Sequence, residues 1–219
     1  MNKKWLVVAT AAAVVVAFVA AAFIFKDRSR QEATQALQTH NQALIRAHSP
    51  VFGNPTAKVT IVEFFDPSCE TCRAFHPLVK RIVNASFGEV RLVLRYAPLH
   101  QGSDSAVKIL EAARQQGKYW QAMEKALADQ PRWAAHGSPR PELIWDLIAD
   151  LGLDMAKARA DAGSPASDQI LRQDIADMRA LMVTRTPAFF VNGTPLREFG
   201  EVQLKSLVDQ ELKKTKASP

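Results

Sequence analysis

Val59-Thr60-Ile61-Val62-Glu63-Phe64-Phe65-Asp66-Pro67-Ser68-Cys69-Glu70-Thr71-Cys72 runs from a strand into a helix. Its first seven residues are the β-branched and aromatic types that suit a pleated surface. Asp66-Pro67-Ser68 stops that strand. A helical pattern then begins at or just before Cys69 and continues through Phe75, Leu78, Val79, Ile82 and Val83 to Gly88, with Pro77 expected to kink it. Val90-Arg91-Leu92-Val93-Leu94-Arg95-Tyr96 reads as a second buried strand. Two strands joined by a helix make a right-handed βαβ unit with parallel pairing.

Further along, the pattern changes. From Ser103 to about Met182 the sequence is helical, near 103–128, 139–151, 154–162 and 167–182, with breaks at Pro131, Pro139 and Pro141, Gly152 and Gly163-Ser164-Pro165. Thr186-Pro187-Ala188-Phe189-Phe190-Val191 is a third strand. Asn192-Gly193 is a hairpin signal that leads into a fourth strand at Thr194 to Arg197. A last amphipathic helix carries Val202, Leu204, Leu207, Val208 and Leu212 on one side. The order βαβ, helical insert, ββα places the chain in the α/β class.

Before the domain, Trp5 to Phe25 holds a single polar residue, Thr10, between Lys3-Lys4 and Lys26-Asp27-Arg28. That is long enough to span a bilayer as a helix. Ala20-Ala21-Ala22 also offers a signal-peptide cleavage site, so a cleaved leader is the alternative to an anchor. Either way the remainder is expected in the periplasm. The expected organisation is a leader at 1–26, a helical stalk at 27–49, a βαβ part at 50–102, the insert at 103–182 and the closing ββα part at 183–214. In 219 residues, 47% hydrophobic and 23% charged, this leaves one ordinary globular domain and excludes a disordered or polytopic chain. The formal charge of +6 is spread along the sequence, which argues against a nucleic-acid partner.

Cys69 and Cys72 are the only cysteines. At a helix N-terminus the free N-H groups and the helix dipole favour the thiolate, the attacking species in disulfide exchange. Cys69 is expected to be the exposed nucleophile. Cys72, one turn on, can resolve a mixed disulfide formed there. A structural disulfide is the bland alternative, but so short a loop gains little from closure. Structural zinc needs four ligands, and only His76 lies close in sequence to the two thiols. No metal and no dissociable cofactor are expected, and a metal-handling or purely binding module is the rival function.

Gly53-Asn54-Pro55, the strand 59–66, Cys69-Glu70-Thr71-Cys72-Arg73-Ala74-Phe75-His76-Pro77 and Thr186-Pro187-Ala188-Phe189-Phe190-Val191-Asn192-Gly193 resemble the DsbA-like branch of the thioredoxin superfamily, over roughly residues 50–214. The resemblance implies a helical domain inserted into a thioredoxin-like fold. It also implies a cis Thr186-Pro187 peptide beside the cysteines, with Thr186 and Pro187 offering backbone to a bound chain. Glu70 and Thr71 stand where strongly oxidising relatives carry Pro-His. A negative Glu70 is expected to raise the Cys69 pKa and weaken the oxidant.

On an alternating strand Val59, Ile61, Glu63 and Phe65 share one face. A carboxyl placed among such neighbours would have a raised pKa and could exchange protons with Cys72; an edge-exposed glutamate is the alternative. The resemblance also places an acidic residue where Glu63 stands and a base where Arg91 stands. His76 is expected on the helix surface, and His40, His48, His100 and His136 show no ligand spacing. Trp120, Trp133, Trp145, Tyr119, Phe75 and Met123 are expected mainly in the core. The expected activity is exchange with protein thiols and disulfides by a monomer. A membrane redox partner would recycle the pair, in a direction, oxidase or reductase/isomerase, that the sequence leaves open.

Overall fold

The computed structural model of the chain describes residues 38–217 together with 25, 26, 28 and 31. Residues 5–24 of the expected membrane helix lie outside the described residues. Among the described residues no helix is long and apolar enough to cross a membrane. One compact unit ends at Gln42, and its residues 38–42 are helical; the second runs from Ala43 onward.

In the second unit a five-stranded sheet has the order β1 (Val51–Gly53), β3 (Val90–Tyr96), β2 (Val59–Phe65), β4 (Ala188–Val191), β5 (Thr194–Pro195). Strand β2 (Val59–Phe65) lies at its centre, parallel to β3 (Val90–Tyr96) and antiparallel to β4 (Ala188–Val191), which pairs antiparallel with β5 (Thr194–Pro195). The β2–β3 crossover is helix α1 (Glu70–Ala85). Every residue of β2 is buried because both faces of the sheet are covered, which is why the strand is an unbroken apolar run apart from Thr60 and Glu63. Val59, Ile61 and Phe65 face Cys72, Val79 and Val83 of α1. Val62 and Phe64 face the other way, with Phe190, Met178 and Leu44.

The region from Ser103 to Ala180 forms α2 (Ser103–Gln115), α3 (Tyr119–Ala128), α4 (Gln130–Trp133), α5 (Ile144–Ile148), α6 (Met155–Ala162) and α7 (Pro165–Ala180). The helix expected over 103–128 is two helices, divided where Gly117 adopts φ 72°. Trp133, Met123 and Tyr119 are buried at the centre of these helices, and the Trp133 indole donates to the Ala126 carbonyl at 2.7 Å. At the hairpin, Asn192 and Gly193 both take positive φ, 46° and 85°, as a tight two-residue turn requires. Helix α8 (Glu201–Ala217) closes the unit through Leu204 and Val208.

Two features were not legible in the sequence. Strand β1 (Val51–Gly53) adds to the sheet edge antiparallel to β3, and is too short to show a pattern of its own. It ends at Gly53, where φ is 94° and a Cβ would lie 2.7 Å from Val83 Cγ1, so this position admits only glycine. The second is the end of the expected stalk: Ala43 and Leu44 are buried, and the segment is tied down by a polar cluster. Fully buried Arg95 donates through Nη2 to Asp174 at 2.8 Å and to Asp177 at 2.6 Å, and through Nη1 to the Ala43 carbonyl. Arg46 and His48 complete the cluster on Asp177 and Asp174, each at 2.6 Å.

Candidate active site

Cys69 is the N-cap residue of α1, with extended backbone (φ −76°, ψ 120°), so the free amides of the first turn point toward its sulfur. Both cysteines are free thiols and both are buried, Cys72 completely; Cys69, expected to be exposed, is only the less buried of the two, because the Thr186-Pro187 segment packs against it. The Thr186-Pro187 peptide is cis and stands directly against them: Cys69 Sγ donates to the Thr186 carbonyl at 3.4 Å. The Thr186 hydroxyl is buried without a partner. Once Cys69 ionises its sulfur can only accept, and this hydroxyl is the donor at hand.

The two thiols are driven in opposite directions. A hydrogen bond from the Cys72 thiol is the largest influence on Cys69. Against the opposing effect of burial, that bond, Thr186 and the Cys72 and Thr71 amides bring Cys69 down to about 5. Burial pushes Cys72 far up, assisted by its bond to Cys69 and by the charge of Glu63. At neutral pH the outer sulfur is a thiolate and the inner one holds its proton.

Glu63 is fully buried in β2, in register with Leu94 and Phe189, and neither carboxyl oxygen has a hydrogen-bond partner. Burial, and secondarily the Cys69 charge, raise it to about 8. Arg91 is not its partner. In register with Thr60 it bonds the Thr60 hydroxyl at 2.9 Å and the Pro55 carbonyl, on a part of the sheet away from the carboxyl.

Glu70 is 70% exposed on its side chain and lies 3.7 Å from His136. The expected rise at Cys69 does not occur, because the thiol, hydroxyl and amide donors at the sulfur outweigh a solvated carboxylate. Thr71 is exposed and acts through its backbone amide. His76 is buried, contrary to the surface position expected for it. It shares the inner face of α1 with Cys72, Val79 and Val83, and Lys80, one turn on, bonds Glu124 of α3. Neither ring nitrogen has a partner, and burial, then the Lys80 charge, lower it to about 4.

Two side chains that carried no sequence signal complete the site. Asp66, read only as a strand terminator, is fully buried and caps the turn into the CxxC by accepting from the Ser68 amide at 2.9 Å. Gln130 reaches in from α4 and donates to the carbonyls of Pro67 and Cys69 at 2.7 and 3.1 Å. Replacing Gln130 with leucine leaves both carbonyls without that donor, and is expected to cost about 1–3 kcal/mol. The check is a lower urea midpoint at unchanged slope; an unmoved midpoint would show that the clamp is dispensable. Next to the site, Phe75, Phe189 and the half-exposed Phe199 form an aromatic cluster, with Phe75 and Phe199 centroids 4.3 Å apart.

Residues 46–210 match the protein family described as Thioredoxin. Among curated relatives, the Na(+)/H(+) antiporter NhaA of Herminiimonas arsenicoxydans is 34% identical over 146 residues, which are 66% of this chain and 22% of the antiporter. NhaA 1 of Salinispora arenicola is 30% identical over 72% of this chain and 23% of its own length. The chain thus spans less than a quarter of these relatives. Among solved structures, a thioredoxin-like oxidoreductase from Silicibacter pomeroyi DSS-3 superposes with TM-score 0.67 at 30% identity, over 81% of this chain and 98% of that one. BdbD from Bacillus subtilis superposes with TM-score 0.66 at 23% identity, over 76% and 94%. A cysteine pair at a helix N-terminus, a cis proline against it and a family match over most of the length agree: the chain belongs to the thioredoxin family.

Proposed function

We propose that the chain is a thiol-disulfide oxidoreductase that exchanges disulfides with protein substrates, with Cys69 as nucleophile and Cys72 as resolving thiol. The observation that carries this reading is the opposed ionisation of two adjacent thiols against a cis proline. The Cys69 thiolate attacks a substrate disulfide, forming a Cys69–substrate bond and releasing the other substrate sulfur as a thiolate. Cys72 then attacks Cys69 Sγ, its proton passing to Glu63 in the molecules where that carboxyl is ionised, and the enzyme is left oxidised as the substrate's second sulfur departs. In the opposite direction a substrate thiolate attacks Cys69 of the enzyme disulfide, and the departing Cys72 sulfur takes a proton. At neutral pH Glu63, raised to about 8, holds that proton ready. Thr186 and Pro187 offer backbone to the substrate chain, and the neighbouring aromatic cluster suits an unfolded polypeptide better than a single polar sequence.

A stabilised thiolate stabilises the reduced enzyme and so makes the disulfide more oxidising. With Cys69 at about 5, between thioredoxin at about 7 and DsbA at about 3.5, the potential is expected between about −270 and about −120 mV. Such a pair is a weaker oxidant than DsbA and a stronger one than thioredoxin. A membrane redox partner recharges it, on the periplasmic side of a membrane to which residues 5–25 anchor the chain. Relatives named as membrane antiporters support work at a membrane face.

The test is a Cys72→Ser variant expressed with the native leader. Cys69 should accumulate as mixed disulfides with exported proteins, and a Cys69→Ser variant should capture none and lose all exchange with glutathione. Capture that is equal in the two variants removes the proposal.

A further inference from the structure

Beside the CxxC lies a polar assembly for which the exchange steps above have no use. The carboxylate of buried Asp66 accepts five hydrogen bonds. Oδ1 takes the Ser68 amide and the Ser103 hydroxyl, the latter from the first turn of α2. Oδ2 takes the amides of Leu99 and His100 at 2.7 and 3.0 Å and the His100 ring nitrogen Nδ1 at 2.7 Å. A carboxylate accepts only, so Nδ1 carries the proton and Nε2 is free to gain the second. The ring, 38% exposed on its side chain, borders a cavity of about 80 Å³ together with Ser68, which precedes Cys69, and His136.

The charges around this imidazole are those of the active site. Burial works against its protonation, but the Asp66 bond and the charges of Asp66, Cys69 and Glu70 prevail and raise its pKa. Across the cavity the facing titratable group is His136, which is paired with Glu70; from α2 the contact with this assembly is uncharged Ser103. The dipeptide between the cysteines, Glu70-Thr71, contains no cation.

Resting on the oxidoreductase reading, we propose that His100, oriented by Asp66, is a positioning residue that supplies positive charge to the Cys69 thiolate from outside the CxxC motif. Three pieces of chain converge to build it: the end of β2, the loop after β3 and the first turn of α2. The coupling is reciprocal, so thiolate and imidazolium each raise the population of the other. Both are charged from about pH 5, where Cys69 ionises, up to the raised pKa of His100. Above that window the support is withdrawn, and the reduced form loses this part of its stabilisation.

Two titrations on the reduced full chain in detergent test this. The first follows thiolate ultraviolet absorbance against pH in the wild type and in His100→Gln. The Cys69 midpoint should rise by about half a unit to one unit in the variant, and a shift below about 0.2 unit overturns the proposal. The second leaves His100 in place and follows its ring protons by NMR in the wild type and in Cys69→Ser. The His100 midpoint should fall by a similar amount when the thiolate is removed, and identical midpoints overturn the proposal even if His100→Gln fails to fold. Exchange with glutathione is measured on the same wild-type sample. A wild type that does not exchange refutes the oxidoreductase reading, while the two titrations still decide the coupling.

Discussion

Replacing Glu63 with leucine is expected to stabilise the protein by roughly 3–5 kcal/mol at pH 8 while slowing disulfide exchange about a hundredfold. In the native state this carboxyl is raised to about 8 by burial, from an ordinary value of 4.5. Between those two values the folded protein holds a proton that the unfolded chain has released, so stability falls as pH rises, by about 1.4 kcal/mol per unit. Below the lower value both states are protonated and the penalty vanishes. The stabilising effect of leucine should therefore be small at pH 4 and grow steadily toward pH 8, as read from urea midpoints across the range. A gain that is the same at both ends would mean that the carboxyl is not held protonated. The exchange rate moves the other way because leucine cannot pass a proton to or from Cys72. On the proposed function, an uncharged, partnerless carboxyl in the middle of a buried strand is retained at a cost in stability because it serves proton transfer.

Replacing Arg95 with leucine has the opposite sign. Its guanidinium is fully buried and serves Asp174, Asp177 and the Ala43 carbonyl together, with the Tyr96 amide on the second oxygen of Asp174 at 2.7 Å. Removing the arginine leaves two buried carboxylates with only Arg46 and His48, both partly exposed, to balance them. Breaking a buried pair from one side costs about 3–5 kcal/mol. For a domain of this size the melting temperature should drop by roughly 10 °C. Lysine should rescue little, since one ammonium cannot reproduce a fork that bonds two carboxylates and a carbonyl. Thermal unfolding followed by circular dichroism checks this. A loss under about 1 kcal/mol would show that the cluster contributes orientation rather than stability.

Local pattern sufficed for the strand at 59–65, the helix after it, the strand at 90–96 and the Asn192-Gly193 turn, because each is dictated by neighbours within a few residues. The spacing of Cys69 and Cys72 was legible in the same way: a pair one turn apart at a helix start puts the Cys72 thiol and the first-turn amides near the Cys69 sulfur, while the further donor at Thr186 comes from a distant segment. The alternation of β2 was enough to place Glu63 on the same face as Val59 and Ile61.

Several expectations that needed to know which distant segment lies alongside failed, although the cis Thr186-Pro187 peptide against Cys69 and the parallel β2–β3 pairing stand as expected. His76 looks like a surface residue but is buried on the inner face of α1, and Arg91 looks like a partner for Glu63 until sheet register sets it opposite Thr60. Gln130 meets the CxxC loop from 61 residues away, and His100 reaches Asp66 across 34 residues of sequence, so neither contact leaves a local pattern. The end of the expected stalk is pinned by Arg95, Asp174 and Asp177, residues drawn from two later elements. Local sequence was enough for the secondary structure around the CxxC, since propensity acts over a single turn, and helix-end electrostatics gave the expectation that Cys69 is the nucleophile. Only the tertiary structure decided how that nucleophile is tuned, because burial and charge act through space between segments that share no local pattern.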